Sequence, residues 1–239
     1  MLNRSRRLLR SAMLRRGTCR SLGIVLTTVA IFVVGCTSDS IVSPDAAQLD
    51  PAVGVTAASQ AAHTISPVVR FSDMAVVGTS KLTRNDNGVS MSYSASELQP
   101  GTIATIWWVV YNNPDACTFG TLGKCAGPDL QNPDVRGTAF YAAGHVIGGS
   151  GKAQYGAHLP SGRVIVDPDP DANQVFIGNG ILEDARTPEI HLVLRTHGEK
   201  IPGMVNRQLS THDAGCTTAP PALQGPNTCM NLLFSIHMP

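Results

Sequence analysis

The sequence predicts an all-β domain, an antiparallel β-sandwich or barrel of about seven to nine strands stabilised by disulfides. Three observations lead there. Short runs of residues recur through 68–239, several alternating apolar and polar side chains and bounded by Gly, Pro and Asn clusters. Almost no stretch carries the helical apolar period. The third is an even set of cysteines, Cys117, Cys125, Cys216 and Cys229, in loop-like segments rich in Gly, Pro, Thr and Asp.

Taken in order, residues 76–84 and 89–96 flank Asn85, Asp86, Asn87 and Gly88, a turn cluster that predicts a β-hairpin. In its second arm Val89, Met91, Tyr93 and Ala95 alternate with Ser90, Ser92, Ser94 and Ser96, so one face is packed and the other wet. Residues 102–111 are apolar on both faces, which predicts a central strand covered on both sides, with Trp107 and Trp108 pointing in opposite directions. Residues 138–147 and 152–159 predict a second hairpin across Gly148, Gly149, Ser150 and Gly151. A short helical turn is expected near 96–98 or in the Cys117 loop. The final strand is expected over 230–237.

The stretch that organises the chemistry is 188–198. Ile190, Leu192, Leu194 and Thr196 share one face, and Glu189, His191, Val193, Arg195 and His197 share the other. The first face is a core surface. The second is a row of titratable groups in a chain whose charged fraction is only 15%.

Residues 1–35 are set apart from this domain. Seven arginines and no acidic residue precede the 13-residue apolar run from Leu22 to Val34, and Val33, Val34 and Gly35 lead into Cys36. The run suits the hydrophobic region of a signal peptide and is short for a membrane span of about 20 residues. A small residue before Cys at the end of such a run resembles the lipobox of bacterial lipoproteins. That resemblance implies a signal peptide over 1–35 and a diacylglyceryl group on Cys36, which holds the chain to a bilayer. Thr37, where Asp would retain a lipoprotein at the inner membrane, favours the outer membrane by the same resemblance. Residues 36–67 lack sustained periodicity and are expected to form a flexible tether, leaving 68–239 as a single domain.

The chain has 18 basic and 17 acidic side chains, and removing residues 1–35 leaves 11 against 17, a formal −6. A mildly acidic exported domain without a basic cluster is a poor nucleic-acid binder. Cys19 leaves with the signal. The four remaining thiols outside Cys36 allow three pairings, of which Cys117–Cys125 and Cys216–Cys229 close the shortest loops. A zinc site built from the four thiolates is disfavoured, because neither spacing is the tight kind and thiolates do not persist outside the cytoplasm.

Three blocks resemble a group of exported bacterial proteins without assigned function: residues 105–114 with Cys117 and Cys125, then 143–147, then 189–198. The likeness spans most of 89–237 and implies no activity. A second resemblance is to chordin-type domains, which also place histidine on a short antiparallel strand. Their usual His-x-His pair is absent here, since position 193 is Val.

The sharpest chemical candidate is a metal site on the polar face of 188–198. Glu189 and His191 stand two residues apart, and His145 on another strand is the candidate third ligand; imidazole with carboxylate suits zinc, copper or iron. His197 stands roughly 20 Å from His191 along a straight strand, too far to share the ion. The plainer reading has Glu189 and Arg195 paired across the sheet and the histidines satisfied by backbone. Asp167, Asp169, Asp171 and Asn173 alternate as calcium ligands do, yet Pro168 and Pro170 stiffen the run and favour a solvated loop. No Gly-x-Ser-x-Gly elbow supports nucleophilic catalysis, and Ser161 has no placed base. Trp107, Trp108 and Tyr111 belong to the most apolar strand, where core packing outweighs sugar stacking. The sequence thus favours a lipid-anchored envelope module that binds or scaffolds, with a metal-binding protein or metalloenzyme as the alternative. It leaves enzymatic activity undecided.

Overall fold

The structure, a computed structural model, describes residues 61–166 and 174–239. Its strands are β1 (Ala62–Arg70), β2 (Val76–Asn85), β3 (Gly88–Ala95), β4 (Thr102–Tyr111), β5 (Gly137–Val146), β6 (Ala153–Pro160), β7 (Val175–Ile177), β8 (Glu189–Glu199) and β9 (Met230–His237). Among the described residues helical structure amounts to the four-residue α1 (Val205–Gln208) and three 3-10 turns between Pro114 and Val135. Signal segment, lipidation at Cys36 and the aspartate run at 167–173 lie outside the described residues.

All nine strands form one antiparallel sheet in the order β6-β3-β2-β1-β9-β8-β4-β5-β7. The sheet curls until its far ends share one interior. Met91 and Tyr93 of β3 join Ile106 and Trp108 of β4 and Leu192 and Leu194 of β8 in a single core. At the seam, the His145 and Tyr155 rings of β5 and β6 lie edge to face at 5.9 Å, with no ladder between the two strands among the described residues. The result is a nearly closed barrel.

The expected 76–96 hairpin is β2 and β3, paired in unbroken register from Gly78↔Ala95 to Asn85↔Gly88. The second expected hairpin is not formed. Its two strands exist as β5 and β6, but β6 pairs with β3 along its whole length. The connection is a turn closed by the Gly151 N–H on the Gly148 carbonyl at 3.0 Å and held by the Leu98 N–H on the Gly151 carbonyl at 3.0 Å, and it carries the chain across the seam. A further difference is β1, which begins at Ala62, inside the stretch expected to be tether. Val68 alone of its central residues is a large apolar core group, and Ile65, Pro67 and Val69 face outward, so the strand lacks a strong apolar period.

β4 is buried at every position. Trp108 enters the barrel, and Trp107 lies on the outer face against Tyr141 and His212. A buried Trp removes 150–250 Å² from water, about 4–6 kcal/mol of transfer free energy as an upper figure. The outer face of β4 and β8 is covered by the two long loops, each stapled as expected. Cys117 and Cys125 are bonded, as are Cys216 and Cys229, with Cα separations of 5.1 and 5.4 Å. The first loop packs Cys125 and Val135 on Val109, Tyr111 and Ala139. The second carries its own small core of Ala214, Cys216, Ala219 and Leu223.

One end of the barrel interior is polar. Arg84 is buried, and its guanidinium donates to the carbonyls of Ala185 (2.9 Å) and Met238 (3.1 Å). Burial draws its pKa down to about 10 against the opposing pull of Asp184. His237 sits beside it, with Nε2 2.8 Å from the Ser80 hydroxyl and Nδ1 2.9 Å from that of Thr64.

Candidate functional site: a groove between the two stapled loops

The loops do not meet over the sheet. Between them the outer face of β4, β8 and β9 stays open as a groove of about 570 Å³. Its floor is apolar: Trp107, Val109 and Tyr111 from β4, Val193 from β8, and Phe234 and Ile236 from β9. Leu122 and Leu130 of the first loop form one wall, and Phe71 and Met74 of the β1–β2 turn stand at the mouth. Phe71, Met74 and Leu122 are all exposed, and Met74 adopts a left-handed backbone with φ 60°. The β8 face anticipated from sequence contributes the polar groups, His191 and Arg195, and the second loop adds His212.

Glu189 begins the polar row and is wholly buried. One carboxylate oxygen accepts the Lys124 N–H at 2.9 Å, and the other accepts the Cys125 N–H at 3.2 Å and His191 Nε2 at 2.6 Å. Burial opposes its ionisation, but His191 and the two backbone donors outweigh that and hold its carboxyl below the usual range. The first loop approaches this carboxylate so closely that a Cβ at Gly123 would lie 2.4 Å from Oε1, which only glycine avoids. Asp129 secures the same loop from the other side. Burial opposes its charge as well, and the N–H groups of Thr118, Ala126 and Phe119 overcome it, so its pKa is lowered.

At the far end of the row Arg195 donates from Nε to the His212 carbonyl at 2.9 Å and from Nη2 to Asp213 at 3.3 Å. Burial lowers its pKa and Asp213 restores part of the loss. His212 donates from Nδ1 to the same carboxylate at 2.8 Å and lays its ring edge-on to Trp107 at 5.0 Å. Thus Arg195 pins the second loop to the sheet just as Glu189 pins the first. The loop comes close to β5 as well, where a Cβ at Gly144 would stand 2.0 Å from the Leu209 carbonyl oxygen.

His197 is a satisfied core histidine. Nδ1 donates to the Ala214 carbonyl at 3.0 Å, and Nε2 receives the Thr105 hydroxyl, 2.9 Å away, whose oxygen in turn accepts Trp107 Nε1 at 2.7 Å. Burial leads in drawing its pKa down to about 4. Its ligand atom and the sulfurs of Cys216 and Cys229 lie within 4.8 Å of one another, the cluster among the described residues with metal-site spacing. Those sulfurs are bonded to each other, so they offer no thiolate to a cation.

The expected set of Glu189, His191 and His145 is corrected by the register. Glu189 and His191 do meet, but His145 lies opposite Ala104 and His191 opposite Val109, on strands either side of β4. Five residues along a strand and two strand spacings across amount to roughly 19 Å, whereas imidazoles sharing a zinc lie within about 5 Å. Sequence reasoning missed the groove walls. Leu122, His212 and Asp213 reach the site through loop folding, and no periodicity marks them.

Fold and site together define a disulfide-braced antiparallel β-barrel with an external apolar groove. No family model and no curated protein matches this chain. Among solved structures it is similar to a mutant of an SOD-like protein from Bacillus subtilis, with 14% identity over 74% of this chain and 99% of that one and a TM-score of 0.31.

Proposed function

We propose that this is a lipid-anchored binding module of the bacterial envelope and that the groove is its ligand site. The observation that carries the reading is the groove itself. Its volume of about 570 Å³ falls in the range of small-molecule sites, which are largely apolar with a few fixed polar groups. Both polar ends are braced: a buried carboxylate orients His191, and Asp213 orients Arg195 and His212. Such bracing holds a site in shape before a ligand arrives and lowers the ordering cost of binding. The anchor rests on the arginine-rich segment, the apolar run and Cys36.

Filling the groove tests the binding reading. Anilinonaphthalene sulfonate is expected to bind the native domain stoichiometrically with enhanced fluorescence, and Val193→Trp is expected to abolish this while the far-ultraviolet circular dichroism stays unchanged. Equal binding by the two proteins would move the ligand site elsewhere. For the anchor, the full chain is expected to incorporate labelled palmitate in a bacterial host and to lose that label in Cys36→Ser. A label retained by the variant would exclude attachment at this thiol.

A further inference from the structure

Resting on the reading of the groove as a ligand site, we infer that its ligand is an apolar molecule bearing a hydroxyl group, which donates its proton to Nδ1 of His191. The starting point is the Glu189 carboxylate. Sealed from solvent, it accepts two backbone N–H groups and is ionised, so it has no proton to give. The 2.6 Å contact with His191 therefore requires the hydrogen on the imidazole Nε2. In the neutral ring that assigns the lone pair to Nδ1, the tautomer being fixed by the partner of the other nitrogen.

His191 is about nine-tenths buried and lines the groove, and none of the described residues hydrogen-bonds Nδ1. Nδ1 is not sealed from solvent in the open groove, and a ligand that covers it must supply a donor or leave a buried acceptor unpaired. Tyr111 supplies the complement. It lines the same groove with its ring 4.9 Å from that of His191, and its hydroxyl has no partner among the described residues. Burial, with Glu189 and Asp129 nearby, raises the phenol pKa and keeps its proton in place.

At this end of the groove, away from Arg195 and His212, His191 offers an acceptor and Tyr111 a group able to donate. A hydroxyl answers both, donating to His191 and accepting from Tyr111. A carboxylate answers only the second, and it would bring a like charge toward Glu189. The part of the ligand that lies over Trp107, Val109, Val193 and Phe234 is apolar, because these side chains offer it no hydrogen bond in the groove.

Naphthol and its methyl ether, methoxynaphthalene, form a matched pair that differs in the donor alone. Their dissociation constants would be measured by tryptophan quenching at mildly alkaline pH. Naphthol is expected to bind the wild-type domain about tenfold more tightly than the ether, the size of one buried hydrogen bond. That preference is expected to vanish in His191→Phe and to shrink in Tyr111→Phe. Equal affinities in the wild type would overturn the hydroxyl assignment and leave the groove standing as an apolar site. Binding of neither compound would remove both readings. Independently of how the variants fold, ring ¹⁵N spectra of the unliganded wild type are expected to show His191 protonated at Nε2 and bare at Nδ1. The reverse tautomer would overturn the assignment.

Discussion

Acidification from about pH 7 to about pH 4 is expected to cost the domain roughly 6 kcal/mol, most of the stability of an ordinary fold. Two interior histidines are responsible. His197 and His237 are both drawn down to about 4, by burial first, and then by the Arg195 and Arg84 charges respectively. In the unfolded chain each returns to about 6.5. Between these values the unfolded state binds the additional proton, so stability rises with pH across the window and falls as acid is added. Each histidine contributes its full share above about pH 6.5 and loses it as the pH falls toward 4. A tenfold difference in proton affinity between folded and unfolded chain is about 1.4 kcal/mol, which makes about 3 kcal/mol apiece. Below that window Glu189 and Asp129, whose folded pKa values are lowered, withdraw their own contributions when protonated. Urea unfolding at half-unit steps of pH reads the effect directly. A midpoint unchanged between pH 7 and 4.5 would refute it. His237→Gln, which keeps an amide within reach of Ser80, is expected to remove about half the slope.

These two histidines also show how far the sequence is legible. The alternation of 188–198 puts His197 on the same face as Glu189 and His191, and the structure agrees. What alternation cannot say is which loop covers a face. His197 is buried by Ala214 and the Cys216–Cys229 staple, while His191, nearer the start of the same strand, borders an open groove. Strand identity is legible for the same reason that covering loops are not. Pleat periodicity is local, and a ten-residue apolar run such as β4 has few other ways to be satisfied. Pairing is not local. The strands β5 and β6 are visible in the sequence, but their separation at the barrel seam depends on the competing edge of β3, more than 50 residues earlier in the chain than β6. Cysteine pairing escapes that difficulty, because each bridge closes a short loop, with sequence separations of 8 and 13. The distance between His145 and His191 does not, since it follows from their registers against β4.

Replacing Glu189 by glutamine is expected to destabilise the domain by about 3 kcal/mol and to loosen the first loop selectively. The change removes one charge and almost no volume, so a larger effect than that of an ordinary surface substitution must come from the hydrogen bonds. Three donors converge on this carboxylate: the backbone N–H groups of Lys124 and Cys125, and His191 Nε2. A glutamine can turn only its carbonyl oxygen to them, and its NH₂ then faces a donor in a site closed to water. The loop ends stay joined by Cys117–Cys125, so the stretch that opens is the segment between the cysteines, which carries Leu122 at the groove wall. Hydrogen exchange separates this from a global loss: the Lys124 and Cys125 amides are expected to lose more protection than the amides of β4 and β8. Gly123→Ala approaches the same contact from the loop side, since its Cβ would fall 2.4 Å from Oε1 and push the loop off the carboxylate. The two variants should therefore share one exchange pattern. If Glu189→Gln melts like the wild type with those two amides unchanged, the carboxylate does not clamp the loop, and the groove owes its wall to the disulfide alone.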